Sequence, residues 1–384
     1  MKKILLLITG LLLFFSVEGQ ILRYSNYTAP TPPAQLVESI DVFGTGGATT
    51  ISTYGGTLQM LKKTLPTDAA DTTATWSRTN GTGTANISGT GLLTALTDGT
   101  VTARATANDG SAVYGEEIIT ISNQTSYATE YQTVYDAMGT KPSAGTATAQ
   151  NTMVNSLVSG GYWARMDLLY IFATDATTVE AKINWVTPGT YNLTDPGSTN
   201  PTFTSLEGYT GDGSSDYLST SYAPYTNYDN IAINSTTLGA YTRTHTTNTG
   251  RVIGLYEHSS GDKLWELIPN NYDYLSGTLN SYSGFGYEQS SDIGTAMVTR
   301  RGSTESEIYR NGVSLGSDAT VSTNFPLSGA VYILAQNNVG TGAEEFYGDQ
   351  VSIIFVMDAI SDAEATALNT IFETYMDAIG KGVQ

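Results

Sequence analysis

Three segments in the second half of the chain decide its reading: Glu207-Gly-Tyr-Thr-Gly-Asp-Gly-Ser-Ser-Asp-Tyr-Leu218, Ile308-Tyr-Arg-Asn-Gly-Val-Ser-Leu-Gly316 and Phe346-Tyr-Gly-Asp-Gln-Val-Ser-Ile-Ile354. In the second, Arg310-Asn311-Gly312 is a hairpin-turn signal, because Asn and Gly accept the left-handed backbone of a two-residue turn. In the first, Asp212 between two glycines has the chemistry of a turn cap. A helix signal follows the third. Ser361 with Glu364 three residues on forms a capping box. Ala367, Leu368, Ile371, Phe372, Tyr375, Met376 and Ile379 make one apolar stripe, and Gly380 suits the C-terminal cap.

Outward from these segments the pattern is of strands. Asp167-Leu-Leu-Tyr-Ile-Phe172 is a continuous apolar run, the mark of a strand buried on both faces. Further candidates are 217–219, 231–236, 239–244, 252–256, 263–268, 294–299, 305–310, 330–335 and 351–357. So many strands between 163 and 384 argue for a two-sheet jelly roll. The order of the three quoted segments and their trailing helix resembles laminin-G-like, concanavalin A-like jelly rolls. That resemblance implies an extracellular domain that binds sugars or proteins and is an enzyme in a minority of families.

A second β region precedes it. Short alternating segments from Ser39 to Ser122 are punctuated by Tyr54-Gly-Gly56, Asn80-Gly81, Thr97-Asp-Gly99 and Asn108-Asp-Gly110, as expected of a small β-sandwich. Val101, Ala103, Ala105 and Ala107 share one face, the core side. Gly55-Gly-Thr-Leu-Gln59, Leu65-Pro66-Thr67, Ala74-Thr-Trp-Ser77, Gly91-Leu-Leu-Thr-Ala-Leu96 and Gly99-Thr-Val-Thr-Ala-Arg-Ala105 together resemble bacterial immunoglobulin-like domains of group 2, over about residues 36–123. The resemblance implies a spacer or presenter in a surface protein, with Trp76 as the buried core tryptophan; Lys62 and Lys63 make one strand more polar than usual.

Between the two lies a helical preface, 124–162. Tyr131, Val134, Tyr135 and Met138 form one helical stripe, stopped by Gly139 and Lys141-Pro142. Met153, Val154, Leu157 and Val158 form another within 150–158, ending at Gly160-Gly161. Both stripes are expected to pack on the β domain that follows.

Residues 1–19 have two lysines, an apolar stretch from Ile4 to Phe15 and a small-residue exit before Gln20, the pattern of a secretory signal peptide. The apolar part is too short to span a bilayer. Residues 20–35 form a Pro-rich spacer, so the expected domains are 1–19, 20–35, 36–123, 124–162 and 163–384. No later segment is long and apolar enough to span a membrane, so no membrane span is expected after signal cleavage. The protein is expected to be exported, either secreted or at the cell surface, with the periplasm open. The net charge of −19 repels nucleic acid. With no cysteine, stability must come from packed cores or bound ions.

For chemistry, a glycoside hydrolase needs two carboxylates flanking the scissile bond. Neither Glu-x-Asp-x-x-Glu nor Glu-x-Asp-x-Glu occurs in 125–384, Glu305 and Glu307 read as a solvated strand edge, and His245 and His258 form no nucleophile–base pair. No enzyme and no required cofactor is expected. The laminin-G-like resemblance implies a possible calcium site at Asp212, Asp216 and Asp349, since Ca2+ prefers hard oxygen ligands in loops. For ligand contact the candidates are loop aromatics: Tyr222, Tyr225 and Tyr228 in one loop, and Tyr272, Tyr274, Tyr282, Phe285 and Tyr287 in another. The expectation is an all-β, two-domain protein that recognises a glycan or a surface protein without catalysis. A phage- or prophage-encoded virion or tail-associated protein is the alternative, and a polysaccharide-degrading enzyme a third reading.

Overall fold

The computed structural model describes residues 34–384 except 123, 125–126, 198, 245, 247–248, 259–261, 290 and 324–327. The expected leader at 1–19 and the spacer up to residue 33 lie outside the described residues. The chain divides into two compact units, Met1–Gln124 and Thr125–Gln384.

The first unit is a sandwich of two four-stranded sheets. One runs Ser39–Gly44, Thr57–Leu65, Leu92–Thr97, Thr84–Ile87; the other Thr50–Ile51, Tyr114–Ile121, Gly99–Ala107, Ala74–Asn80. In Gly99–Ala107 the even spacing turns Val101, Ala103, Ala105 and Ala107 inward, where they meet Val42, Met60, Leu93 and Ile119. Trp76 departs from expectation: it is half-buried, packed against this core rather than enclosed by it. Its ring lies over Gly91, at φ +84, where a Cβ would stand 2.7 Å from the indole. A flat ring needs a missing side chain opposite, so the pair closes the sandwich at one margin.

The second unit has three layers. The first sheet has the order Thr202–Thr204, Gly208–Thr210, Gln350–Met357, Thr236–Thr242, Gly294–Gly302, Glu305–Arg310, Val313–Asp318, with Met166–Ile171 also paired to Gln350–Met357. The second runs Leu218–Ser219, Tyr332–Ile333, Ile253–His258, Asp262–Asn271, Tyr274–Ser281, Phe285–Glu288, with Gln336–Asn338 paired to Ile253–His258 and Gly342–Glu344 paired to Gln336–Asn338. Between the sheets lie Leu168, Tyr170, Leu238, Leu255, Trp265, Leu267, Val298 and Ile354. On the opposite face of the first sheet, Leu169, Ile171, Tyr241, Met297, Ile353 and Phe355 pack on the helices. The strand at Met166–Ile171 is therefore apolar on both faces because both faces are covered.

The covering helices are Thr129–Ala137, Ala144–Ser159 and Asp362–Ala378. The second starts earlier than its apolar stripe suggests, because Ala144-Gly-Thr-Ala-Thr-Ala149 offers small residues and not periodic bulk; Ser143 caps it. The last has both arms of the capping box, Ser361 Oγ accepting from Glu364 N and Glu364 Oε2 from Ser361 N at 2.7 Å, and Gly380 at φ +72 beyond its end. Its start is tied to the first strand by Arg165. That guanidinium donates from Nε to Asp358 Oδ1 at 2.8 Å, from Nη2 to Ala359 O at 2.6 Å and from Nη1 to Glu364.

Candidate ligand-binding surface

Helices cover the outer face of the first sheet, and an exposed aromatic corner lies on the second sheet. Its hairpin from Asp262–Asn271 to Tyr274–Ser281 turns through Tyr272 at φ +50 and Asp273 at φ +70. Two successive left-handed residues define a two-residue turn that normally requires Asn-Gly, and a bulky aromatic there costs on the order of 1–3 kcal/mol. The turn is held regardless: Asp273 N donates to Asn270 Oδ1 at 3.0 Å, and Gln289 N donates to Asp273 O at 3.1 Å. Tyr272 is 77% exposed at this corner.

Behind the turn is a hollow of about 510 Å3 lined by Arg251, Glu266, Ile268, Asn271, Tyr272, Tyr274, Ser276, Gly284, Phe285 and Gly286. The register explains the space: Ser276 faces Gly286 across the strands, so small residues sit where bulk would fill it. Arg251 Nε donates to Glu266 Oε2 at 3.1 Å and Nη1 to Glu345 Oε2 at 2.6 Å. Glu266 Oε1 accepts from Thr278 Oγ1 at 2.8 Å. Tyr274 OH donates to Glu288 Oε1 at 3.2 Å, which raises the phenol above its ordinary range. An exposed ring beside fixed donors and acceptors can stack on the C–H face of a sugar and bond its hydroxyls.

The hollow rests on a residue whose motif read only as a turn. Arg310 is buried, donating from Nε to Gln289 Oε1 at 2.9 Å and from Nη2 to Pro269 O at 2.7 Å; burial pushes its guanidinium down to about 10. Gln289 Nε2 donates to the same Pro269 carbonyl at 2.8 Å. Arg310 thus positions the strand that delivers Tyr272 and Tyr274.

The expected aromatics separate. Tyr272, Tyr274 and Phe285 line the hollow, Phe285 half-buried against the inter-sheet core. Tyr287 is a correction: its ring packs against the core over Gly316, and its hydroxyl donates to Ser317 O at 2.5 Å. Tyr222 is another, 1% exposed, its hydroxyl donating to the buried Asp167 carboxylate at 2.7 Å. Burial, then the Asp167 charge, push that phenol far above its usual range. Tyr282 and Tyr228 are exposed but are not among the lining residues. The side chain of Tyr225 lies outside the described residues, as does His245.

Arg251, Glu266, Asn271, Ser276 and Arg310 were not among the expected site residues. A signal for one existed: Glu266 interrupts the apolar Leu264-Trp-Glu-Leu-Ile268.

The three aspartates do not fit a calcium cage. Asp212 Oδ1 accepts from the backbone N of Ser214, Ser215 and Asp216, and Oδ2 from both serine hydroxyls, all within 2.9 Å. Burial pushes this carboxyl up, but these bonds outweigh it and hold it well below the usual range. Asp349 accepts from Thr244 Oγ1 at 3.2 Å and Thr246 N at 3.1 Å. Asp216 Oδ1 is buried without a partner among the described residues, yet among those residues no three His, Cys, Asp or Glu side chains group closely enough to hold an ion. The Glu305–Glu307 pair is bridged by Arg301, which also meets Asp362 at 3.0 Å.

A second recess, about 360 Å3, lies between helices Ala144–Ser159 and Asp362–Ala378. Thr148, Thr152, Ser156, Thr370 and Thr374 all donate back to carbonyls four residues earlier. Their hydroxyl protons are thus spent inside the helices, so this recess has little with which to orient a polar ligand.

Residues 37–116 match the bacterial Ig-like domain (group 2). Tail tube protein pb6 of Escherichia phage T5 is 41% identical over 116 residues, 27% of this chain. The chain spans about a quarter of that protein's length. Among solved structures, the CBM40 of the Ruminococcus gnavus IT-sialidase matches with a TM-score of 0.30 at 14% identity, covering 36% of this chain and 84% of that one. A mutant Trypanosoma rangeli sialidase displaying trans-sialidase activity matches at 0.41 and 13%, covering 75% and 44%. Neither score is high enough to bear on a ligand. Among the described residues no helix is long and apolar enough to cross a membrane.

Proposed function

We propose that this is an exported, non-catalytic recognition protein. In it the Ig-like region of about 36–123 acts as spacer, and the laminin-G-like sandwich at 163–384, with its helical preface at 124–162, binds glycan through the hollow behind Tyr272. The observation that carries the reading is Tyr272 itself. A large, exposed aromatic held in a left-handed turn costs stability and packs no core, so its use lies at the surface. Glycan-array binding by the full chain, beside Tyr272→Ala, tests it. Saturable binding to a defined glycan class, reduced at least about tenfold in the variant, supports the reading. A blank array from folded protein sinks it and favours a protein partner. A chelator arm is expected to leave binding unchanged, because Asp212 already has its donors. Mass spectrometry of exported protein beginning at Gln20 tests the leader.

The tail tube protein match favours a second reading, a phage- or prophage-encoded attachment or decoration protein. Recovery of the chain in purified virions would establish it, and its recovery only from the cell envelope or medium would exclude it.

A further inference from the structure

The hollow has a second left-handed residue at its edge. Glu345 has φ +52, and its carbonyl accepts from Arg251 N at 3.0 Å while its carboxylate takes Arg251 Nη1. Glu266, 6% exposed, holds Nε from the other side, and Nη1 reaches Thr249 O as well. The guanidinium is thereby clamped between two carboxylates. Glu288, which accepts from the lining residue Tyr274, adds a third acid at the margin. One arginine stands against three carboxylates.

We propose that the hollow selects an uncharged, hydroxyl-rich sugar unit and rejects carboxylated sugars, with Glu345 enforcing the rejection; this rests on the glycan reading above. A ligand carboxylate would enter a negative field, and Arg251, the one cation among the described residues that line the hollow, already serves Glu266 and Glu345. A hydroxyl needs no such cation. Arg251 Nη2 and Asn271 Oδ1 have no partner among the described residues, one a donor and one an acceptor, which suits a group that both accepts and donates. Asn271 Nδ2 donates to Ser276 Oγ at 3.4 Å, which fixes that amide's orientation. The rotamer of Glu345 is thus a specificity element: its own carboxylate takes the position a ligand carboxylate would need.

The test titrates the full chain with neutral oligosaccharides ending in galactose, glucose, mannose or N-acetylglucosamine, and with sialylated and glucuronate-terminated counterparts. The neutral series is expected to bind at least about tenfold tighter, with less than about twofold change between roughly 50 and 500 mM salt. Glu345→Gln, checked for folding by circular dichroism, is expected to narrow the preference to about threefold or less. Carboxylated ligands binding as well as neutral ones, with binding still lost in Tyr272→Ala, overturn the selectivity and leave the site standing. An unchanged preference in Glu345→Gln overturns the role of that residue. No glycan bound by folded protein removes the glycan reading itself.

Discussion

Two hairpin turns in the second unit share one backbone conformation and differ in everything else. Asn311-Gly312 sits at φ +52 and +75, and Tyr272-Asp273 at φ +50 and +70. The first uses the residues that this geometry favours and packs inward: a Cβ on Gly312 would stand 2.8 Å from Thr366 Cα on the C-terminal helix. The second uses residues that the geometry disfavours and points its ring at solvent. Where local preference and fold agree, the turn serves stability; where they conflict and the surroundings enforce the conflict, the turn serves the surface.

The sharpest way to break the first turn is Gly312→Ala, which adds left-handed strain and a backbone clash. A loss of about 3 kcal/mol is expected in chemical denaturation of the second unit. Arg310→Met severs the link between the two turns, leaving the Gln289 side chain and Pro269 carbonyl each short of a partner. A loss of about 2 kcal/mol is expected, with weaker glycan binding by the folded fraction. Giving the second turn the chemistry of the first, by Tyr272→Asn with Asp273→Gly, is expected to stabilise by about 1 kcal/mol, seen as a melting point higher by roughly 2–4 °C. Binding should fall at the same time; a variant both more stable and fully active would break the comparison.

The smallest effect concerns the saturated turn at Asp212. Asp212→Ala should cost about 1 kcal/mol or less at neutral pH. The folded carboxyl is held below its unfolded value, about 3.9, so its contribution is present above that pH and is lost as pH falls below it through the lower folded value. The wild-type and Asp212→Ala stability curves should converge on acidification.

Much of the architecture was legible because it rests on periodicity and local caps. The alternation through Val101–Ala107, the run at Asp167–Phe172 and the Ser361–Glu364 box each carry their structural meaning within a few residues. The site does not. Arg251, Glu266, Ser276, Gly286 and Glu345 meet only through strand register, across almost a hundred positions of sequence. Tyr222 shows the opposite failure. A tyrosine in a polar loop reads as a contact residue, but Asp167 supplies a buried acceptor that also takes the backbone N of Asp229 and Asn230 at 3.1 and 2.9 Å, so the ring can enter the core with its hydroxyl satisfied. Trp76 was placed in the right region and too deep, since its exposure depends on the missing side chain at Gly91.

Arg165 has a mechanical meaning. Met166 pairs with Met357, so the two strands that stitch the start of the sandwich to its end begin and finish at the same margin. Tension that drew the chain before Arg165 away from the chain after Asp358 would peel this pair open one rung at a time from that margin. The guanidinium spans the first rung, gripping Asp358, Ala359 and Glu364 together. Under such a load it is the buckle that force must undo before the zipper can run.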